Sequence, residues 1–165
     1  MIELYLIRHG LAEERSDAWP DDSKRPLTED GVSKLRKSAR GLARLNVAVD
    51  VIVTSPFVRT RQTAEIVAAA LDPHPHLVVS DALAPGGSLT AIVADLDKHA
   101  KRRAIAIVGH EPSIGELAAR LIGLRQAIPF KKGAVCRIDV DALPITGHGD
   151  LKWFVTPKIL RSVLK

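Results

Sequence analysis

Four residues able to do chemistry stand just beyond short apolar runs. Arg8 and His9 end the run Ile2-Glu3-Leu4-Tyr5-Leu6-Ile7. Arg59 comes five residues after Val49-Asp50-Val51-Ile52-Val53-Thr54, and His110 follows Ala104-Ile105-Ala106-Ile107-Val108 and Gly109. Arginine is always cationic and presents a planar fork of donors that matches phosphate oxygens. A histidine with one unprotonated ring nitrogen is a nucleophile toward phosphorus. Arginines close by oppose the imidazolium and favour the neutral, nucleophilic ring. Its other ring nitrogen is then expected to donate to a backbone carbonyl, which fixes the tautomer. This set suits transfer of a phosphoryl group. His9 would attack, Arg8 and Arg59 would hold the group and neutralise its charge, and His110 would donate to a phosphoryl oxygen.

Other chemistries fit the inventory less well. Two histidines on separate segments begin a zinc site, but spacing fixes no further ligand, so no metal and no cofactor are expected. The Gly-x-Ser-x-Gly turn of serine hydrolases is absent, as are a Walker loop and a dinucleotide-binding glycine fingerprint. Taken singly, each residue has a plain structural reading: a satisfied histidine after a strand, a solvated arginine near a helix start. The three segments together, each following a strand, argue against it.

The elements that must position these residues alternate along the chain. A buried strand over 2–7 stops at Arg8-His9-Gly10, where Gly10 permits a sharp turn. A polar loop runs from about Glu13 to Pro26. Thr28 is an N-cap with Glu29 and Asp30 in the first turn. Val32, Leu35, Ala39, Leu42 and Leu45 then make one apolar face. A second strand over 49–54 leads to Ser55-Pro56, an N-cap and N1 pair opening a helix to about Leu71. Leu77-Val78-Val79 is a short strand, and Ser88 caps a helix with Ile92, Val93 and Leu96 inward. The apolar strand 104–108 breaks at Gly109-His110, and Pro112 starts a helix with Leu117, Leu121 and Ile122 inward. Two strands, about 134–140 and 151–155, precede a last helix at Thr156-Pro157, whose Ile159, Leu160, Val163 and Leu164 are expected to dock it against the sheet.

This alternation predicts an α/β three-layer sandwich, with a mainly parallel central sheet and helices on both faces. No linker divides the chain, so residues 1–165 are expected to form a single domain. Ligands of such sheets bind beyond the carboxyl ends of the strands, where all three segments of interest lie. Helix N-termini there add N–H groups for phosphate, which places Ser55 and Gly10 among the substrate-binding candidates with the arginines.

Composition narrows the class. Apolar residues are 46% and charged residues 26% of the 165, as in an ordinary globular protein. No apolar stretch nears the ~20 residues of a membrane span. The N-terminus lacks the pattern of a signal peptide. One cysteine, Cys136, rules out an internal disulfide and, in its apolar run, reads as a buried small hydrophobe. A cytoplasmic location follows as the expectation, with no membrane attachment. The net charge of +5 suits an anionic substrate or an acidic partner, while 4% aromatic content is too little for a base-stacking surface, so no nucleic-acid binding is expected.

The stretches Leu6-Ile7-Arg8-His9-Gly10, Ser55-Pro56-Phe57-Val58-Arg59-Thr60-Arg61-Gln62-Thr63-Ala64 and Gly109-His110-Glu111-Pro112 resemble the histidine phosphatase superfamily, with its phosphoglycerate-mutase-like fold. The resemblance spans nearly the whole chain. It implies that His9 becomes phosphorylated and that Arg8, Arg59 and His110 complete the phosphate pocket. The short length, Arg25-Pro26-Leu27-Thr28, Ala82-Leu83-Ala84-Pro85-Gly86-Gly87 and the ending Trp153 to Leu160 are most similar to SixA-type phosphohistidine phosphatases. This implies a phosphorylated protein, a phosphohistidine domain, as substrate, and a phosphate or other oxyanion in the pocket. Arg25 would reach the site from its loop to bind substrate.

One departure is informative. Mutases of this superfamily carry a proton-donating glutamate shortly after the third strand, and the stretch around Leu83-Ala84-Pro85 has none. The nearest candidate acids are Glu13, Asp17, Asp21 and Asp22 in the first loop. An imidazole leaves phosphorus with far less help than an alkoxide. A small-molecule phosphomonoesterase or mutase and an inactive phosphopeptide-binding module are the alternative readings.

Overall fold

Alternate residues of a strand face opposite sides of its sheet, and the first strand here is apolar on both. The structure, a computed structural model describing residues 1–165, places that strand, β1 (Ile2–Arg8), near the middle of a six-stranded sheet. The others are β2 (Val51–Thr54), β3 (His76–Val79), β4 (Ala104–Gly109), β5 (Val135–Val140) and β6 (Asp150–Val155), in the order β3-β2-β4-β1-β5-β6. The first four in that order are mutually parallel, while β5 runs antiparallel to both β1 and β6.

Leu4 and Leu6 join Val51, Val53, Ile105 and Ile107 on one face, packed by α3 (Leu89–Asp97) and α4 (Ser113–Leu121). Tyr5 and Ile7 join Ile52, Ala106 and Val108 on the other, packed by α1 (Glu29–Arg44), α2 (Val58–Ala70) and Leu160 of α5 (Pro157–Ser162). This is the expected three-layer α/β sandwich, mainly parallel, with two antiparallel strands at one side. No helix is long and apolar enough to cross a membrane. Cys136 is fully buried, and burial pushes its thiol up to about 12, which leaves it inert.

Two capping expectations hold: Thr28 Oγ1 accepts from Gly31 N–H at 2.8 Å, and Ser88 Oγ from Ala91 N–H at 3.1 Å. Others do not. Ser55-Pro56 does not open α2, which begins at Val58 after an uncapped Phe57. Ser55 Oγ lies instead 2.8 Å from His110 Nε2. Pro112 lies before α4, which starts at Ser113. Leu45, expected on the inner face of α1, is its exposed C-cap, because the chain turns away there through Asn46 at φ 56°. Edge strand β3 leaves Leu77, Val78 and Val79 exposed, since no element lies beyond it. The last helix docks chiefly on α1 rather than on the sheet. The Leu160 carbonyl lies so close to Gly41 that an added Cβ would meet its oxygen at 2.1 Å. Leu160 is fully buried there, whereas Ile159 is exposed.

Candidate active site

Parallel pairing aligns the carboxyl ends of β1, β4 and β2. Arg8 is registered with Gly109, and Thr54 with Val108. The ladder continues one step beyond the strands: His9 N–H donates to the Gly109 carbonyl and Ser55 N–H to the Val108 carbonyl, both at 3.1 Å. Residues 9, 55 and 110 therefore lie side by side, although 46 to 101 positions apart in the chain. This is where chain order reverses across the sheet, between β4 and β1, the usual ligand site of such folds.

The His9 and His110 rings sit 5.3 Å apart, nearly edge to face, and both are buried. Phe57 walls His110 at 5.2 Å, and the Arg59 guanidinium stacks over Phe57 at 5.0 Å. His9 Nδ1 lies 2.7 Å from the Gly10 carbonyl oxygen. An oxygen with no hydrogen can only accept, so Nδ1 carries the proton and Nε2 keeps its lone pair. Burial, then the charges of Arg59, Arg8 and Lys132, lower His9 to about 4 against the opposing hydrogen bond to Gly10. The ring is neutral at pH 7.

His110 is lowered further, to about 3, by burial and by the neighbouring His9 and Arg59. Its Nε2 lies 2.8 Å from Ser55 Oγ, which also accepts from Phe57 N–H at 3.3 Å. His110 Nδ1 has no partner within the protein. Arg8 Nε and Arg59 Nε are likewise buried without an acceptor. Three buried nitrogens among these residues are therefore without a partner, and buried polar groups normally have one.

The two arginines are held by different parts of the chain. Arg8 Nη1 donates to the Phe130 carbonyl at 2.6 Å, and Phe130 N–H reaches Glu111 Oε2 at 3.4 Å. Arg59 Nη1 donates to the Asp22 carbonyl at 2.9 Å and Nη2 to Asp22 Oδ2 at 3.1 Å. Arg25 Nε donates to Asp22 Oδ1 at 2.9 Å and Nη1 to the Glu13 carbonyl at 2.6 Å. Arg25 thus anchors its own loop, with Nη2 uncommitted, and its positive charge helps to lower His110 and Arg59. The polar loop is pinned at its ends by Thr28 N–H to the Leu11 carbonyl and Glu13 N–H to the Pro26 carbonyl. It carries Asp22 onto Arg59.

Gly10 is close-packed rather than turned by a left-handed backbone. A Cβ there would touch Leu35 at 3.4 Å, and its N–H donates to Thr63 Oγ1 at 3.1 Å. Asp22, a candidate acid, is a bound carboxylate. Burial opposes ionisation, but the hydrogen bonds from Arg25 and Arg59 outweigh it and hold Asp22 below the ordinary carboxylate range. Asp21 is also lowered, by the Ser23 hydroxyl and N–H. Glu111 is engaged by Gly115 N–H at 3.0 Å and by Phe130 N–H. Asp22 as the partner of Arg59, Glu111 and Phe130 as supports of Arg8, and Thr63 beneath Gly10 were not legible as such. Only Thr63, one helical turn after Arg59, and Glu111, beside His110, gave a local hint. No group of three or more His, Cys, Asp or Glu side chains is placed to hold a metal ion.

The chain matches the model of the histidine phosphatase superfamily (branch 1) over residues 4–84. It is 40% identical to an uncharacterised protein of Picosynechococcus, covering 96% of this chain and 99% of that one. It is 28% identical to the phosphohistidine phosphatase SixA of Escherichia coli strain K12, covering 94% of each. The chain belongs to the histidine phosphatase superfamily. Its fold agrees with this: it matches a SixA structure complexed with tungstate at a TM-score of 0.85 and 27% identity, covering 96% of this chain and 99% of that one. In sequence and architecture it is similar to the SixA proteins of this superfamily.

The two imidazoles link this site to stability. Both are lowered from 6.5 by folding, His9 to about 4 and His110 to about 3. Between pH 6.5 and these values the unfolded chain binds protons that the folded one refuses, so stability falls as pH drops through that window. Melting temperatures of the wild type and of a His9→Asn/His110→Asn variant, compared from pH 7 to 4, should show a flatter decline in the variant. Parallel declines would contradict the assignment.

Proposed function

We propose that residues 1–165 form one phosphatase domain that removes the phosphoryl group from phosphohistidine on a protein, through a phosphorylated His9. The observation that carries this reading is the fixed tautomer of His9. Its Nδ1 is committed to Gly10, its neutral Nε2 keeps a lone pair, and Arg8 and Arg59 lie near enough for their charges to act on the ring. In the first step Nε2 attacks phosphorus, a P–N bond to His9 forms, and the substrate's P–N bond breaks. The departing imidazole takes a proton from solvent and leaves neutral. Arg8, Arg59 and His110 donate to the phosphoryl oxygens, whose charge the two guanidiniums balance without a metal ion. In the second step water attacks phosphorus and its proton passes to the phosphate product or solvent, the P–N bond breaks with its electron pair returning to His9 Nε2, and inorganic phosphate departs.

The carboxylates around the pocket favour this substrate over a phosphate ester. Asp22 and Glu111 are both tied up as acceptors, and Asp22 is held ionised. An alkoxide leaving group needs a positioned acid worth about a hundredfold or more, and neither supplies one. Residues 80–103, between β3 and β4, hold only a short 3-10 turn and α3, so no large lid closes over the site. An open pocket admits a side chain still attached to a protein. The resemblance to SixA of Escherichia coli supports the same substrate class. The test compares kcat/KM on phosphohistidine proteins with that on phosphorylated sugars and glycerates, in the presence of chelator. The proteins should win with activity undiminished. A metabolite turned over much faster than every phosphohistidine protein would overturn the substrate class.

A further inference from the structure

Resting on that reading, we infer that the groove running from Gly10 between α1 and α5 is a docking site for an acidic segment flanking the phosphorylated histidine. The groove has a volume of about 190 Å³. Its floor includes Gly10, the residue after His9, and its walls carry Lys34 from α1, Lys132 from the turn before β5, and Arg161 from α5. Lys132 and Arg161 have no carboxylate within 4.0 Å, and Lys34 has one, the exposed Asp30 at 2.7 Å. Three cations therefore face one short groove with little internal compensation.

Continuity with the site restricts the occupant. The groove starts beside His9, and Lys132 lies near enough for its charge to act on the His9 ring. A chain continuing from a residue bound at His9 is therefore well placed to enter it. Further cations stand on α1 outside the groove, Lys37 and Arg40 beside a second depression that also holds Glu29. Lys37, Arg40 and Arg44 are exposed along α1 without acidic partners. From Lys34 to Arg44 the helix rises about 15 Å, a span that suits a peptide better than a single metabolite. No aromatic side chain lines the groove to stack a base. An acidic polypeptide segment is the complementary partner, and attraction of this kind raises association rates.

Two phosphohistidine peptides of equal length test this, one flanked by Asp and Glu, the other by Lys and Arg, beside free phosphohistidine. At low salt kcat/KM on the acidic peptide should exceed that on the basic one by about tenfold or more, and added salt should close the gap. In a Lys34→Glu/Arg161→Glu variant, the ratio of kcat/KM on the acidic peptide to that on free phosphohistidine should drop about tenfold. Lys34→Gln/Arg161→Gln should show a smaller drop and serves if charge reversal impairs folding. Lys132 is left intact because its charge acts on His9. Equal turnover of the two peptides, or an acidic preference that survives the substitutions, overturns the docking site but not the phosphatase reading. Failure on all three phosphohistidine compounds with turnover of phosphomonoesters overturns both. Tighter binding of a duplex oligonucleotide or an anionic vesicle than of the acidic peptide, at equal salt, also rejects the assignment.

Discussion

His9→Asn is expected to fold like the wild type and to lose turnover by about 10⁴-fold or more, the scale of losing a covalent nucleophile. Asparagine is the discriminating replacement. Its side-chain amide occupies roughly the position of Nδ1 and can still donate to the Gly10 carbonyl, now bonded at 2.7 Å. What it removes is Nε2, the ring nitrogen left with a free lone pair. The buried ring is 6% exposed, so a bulkier or unpaired substitute would confuse loss of chemistry with loss of fold. Quenching the wild type during turnover of a labelled phosphohistidine substrate should leave an acid-labile label on His9. Label on another residue, or an active His9→Asn protein, would rule out the covalent mechanism.

Arg59→Ala is expected to cost roughly 10²- to 10³-fold in kcat, about 3 to 4 kcal/mol of transition-state stabilisation, the typical loss of one preorganised oxyanion donor. The guanidinium is 3% exposed, and its Nη1 and Nη2 are fixed by Asp22 while Nε is free to meet a phosphoryl oxygen. Arg59→Lys should recover less than about tenfold of the loss, because a compact ammonium lacks the planar fork that reaches Asp22 with two nitrogens and leaves a third for the phosphoryl group. Removal of Arg59 leaves Asp22 with Arg25 as its remaining close partner and a more distant contact at 3.7 Å to the exposed Arg15. Melting temperatures measured beside kcat separate a loosened loop from lost catalysis. An Arg59→Lys enzyme with wild-type kcat would show that charge alone suffices and that the planar fork is not used.

The sequence by itself determined the layers and the sheet edge at which the candidate residues gather. Apolar runs such as Ala104–Val108 and the Leu4/Leu6 against Tyr5/Ile7 alternation specify strands buried on both faces, and Thr28 and Ser88 mark helix starts through short-range hydrogen bonds. These signals are local: each depends on residues within a turn or two of one another. Arg8, His9, Arg59 and His110 could be gathered because parallel strands put their carboxyl ends on one edge.

Tertiary structure decided how those residues are held and what their neighbours do. Ser55 has the type and position of an N-cap, yet its hydroxyl meets His110, 55 positions away. Asp22 read as a spare acid in a polar loop, and the fold presents it to Arg59 across 37 positions. Arg8 is steadied by a carbonyl 122 residues on, and α5 turned to α1 because Gly41 leaves room for the Leu160 backbone. Periodicity carries no information about such pairs. They follow from the register between strands and from the path of the loops, which are set when distant segments bury apolar surface together.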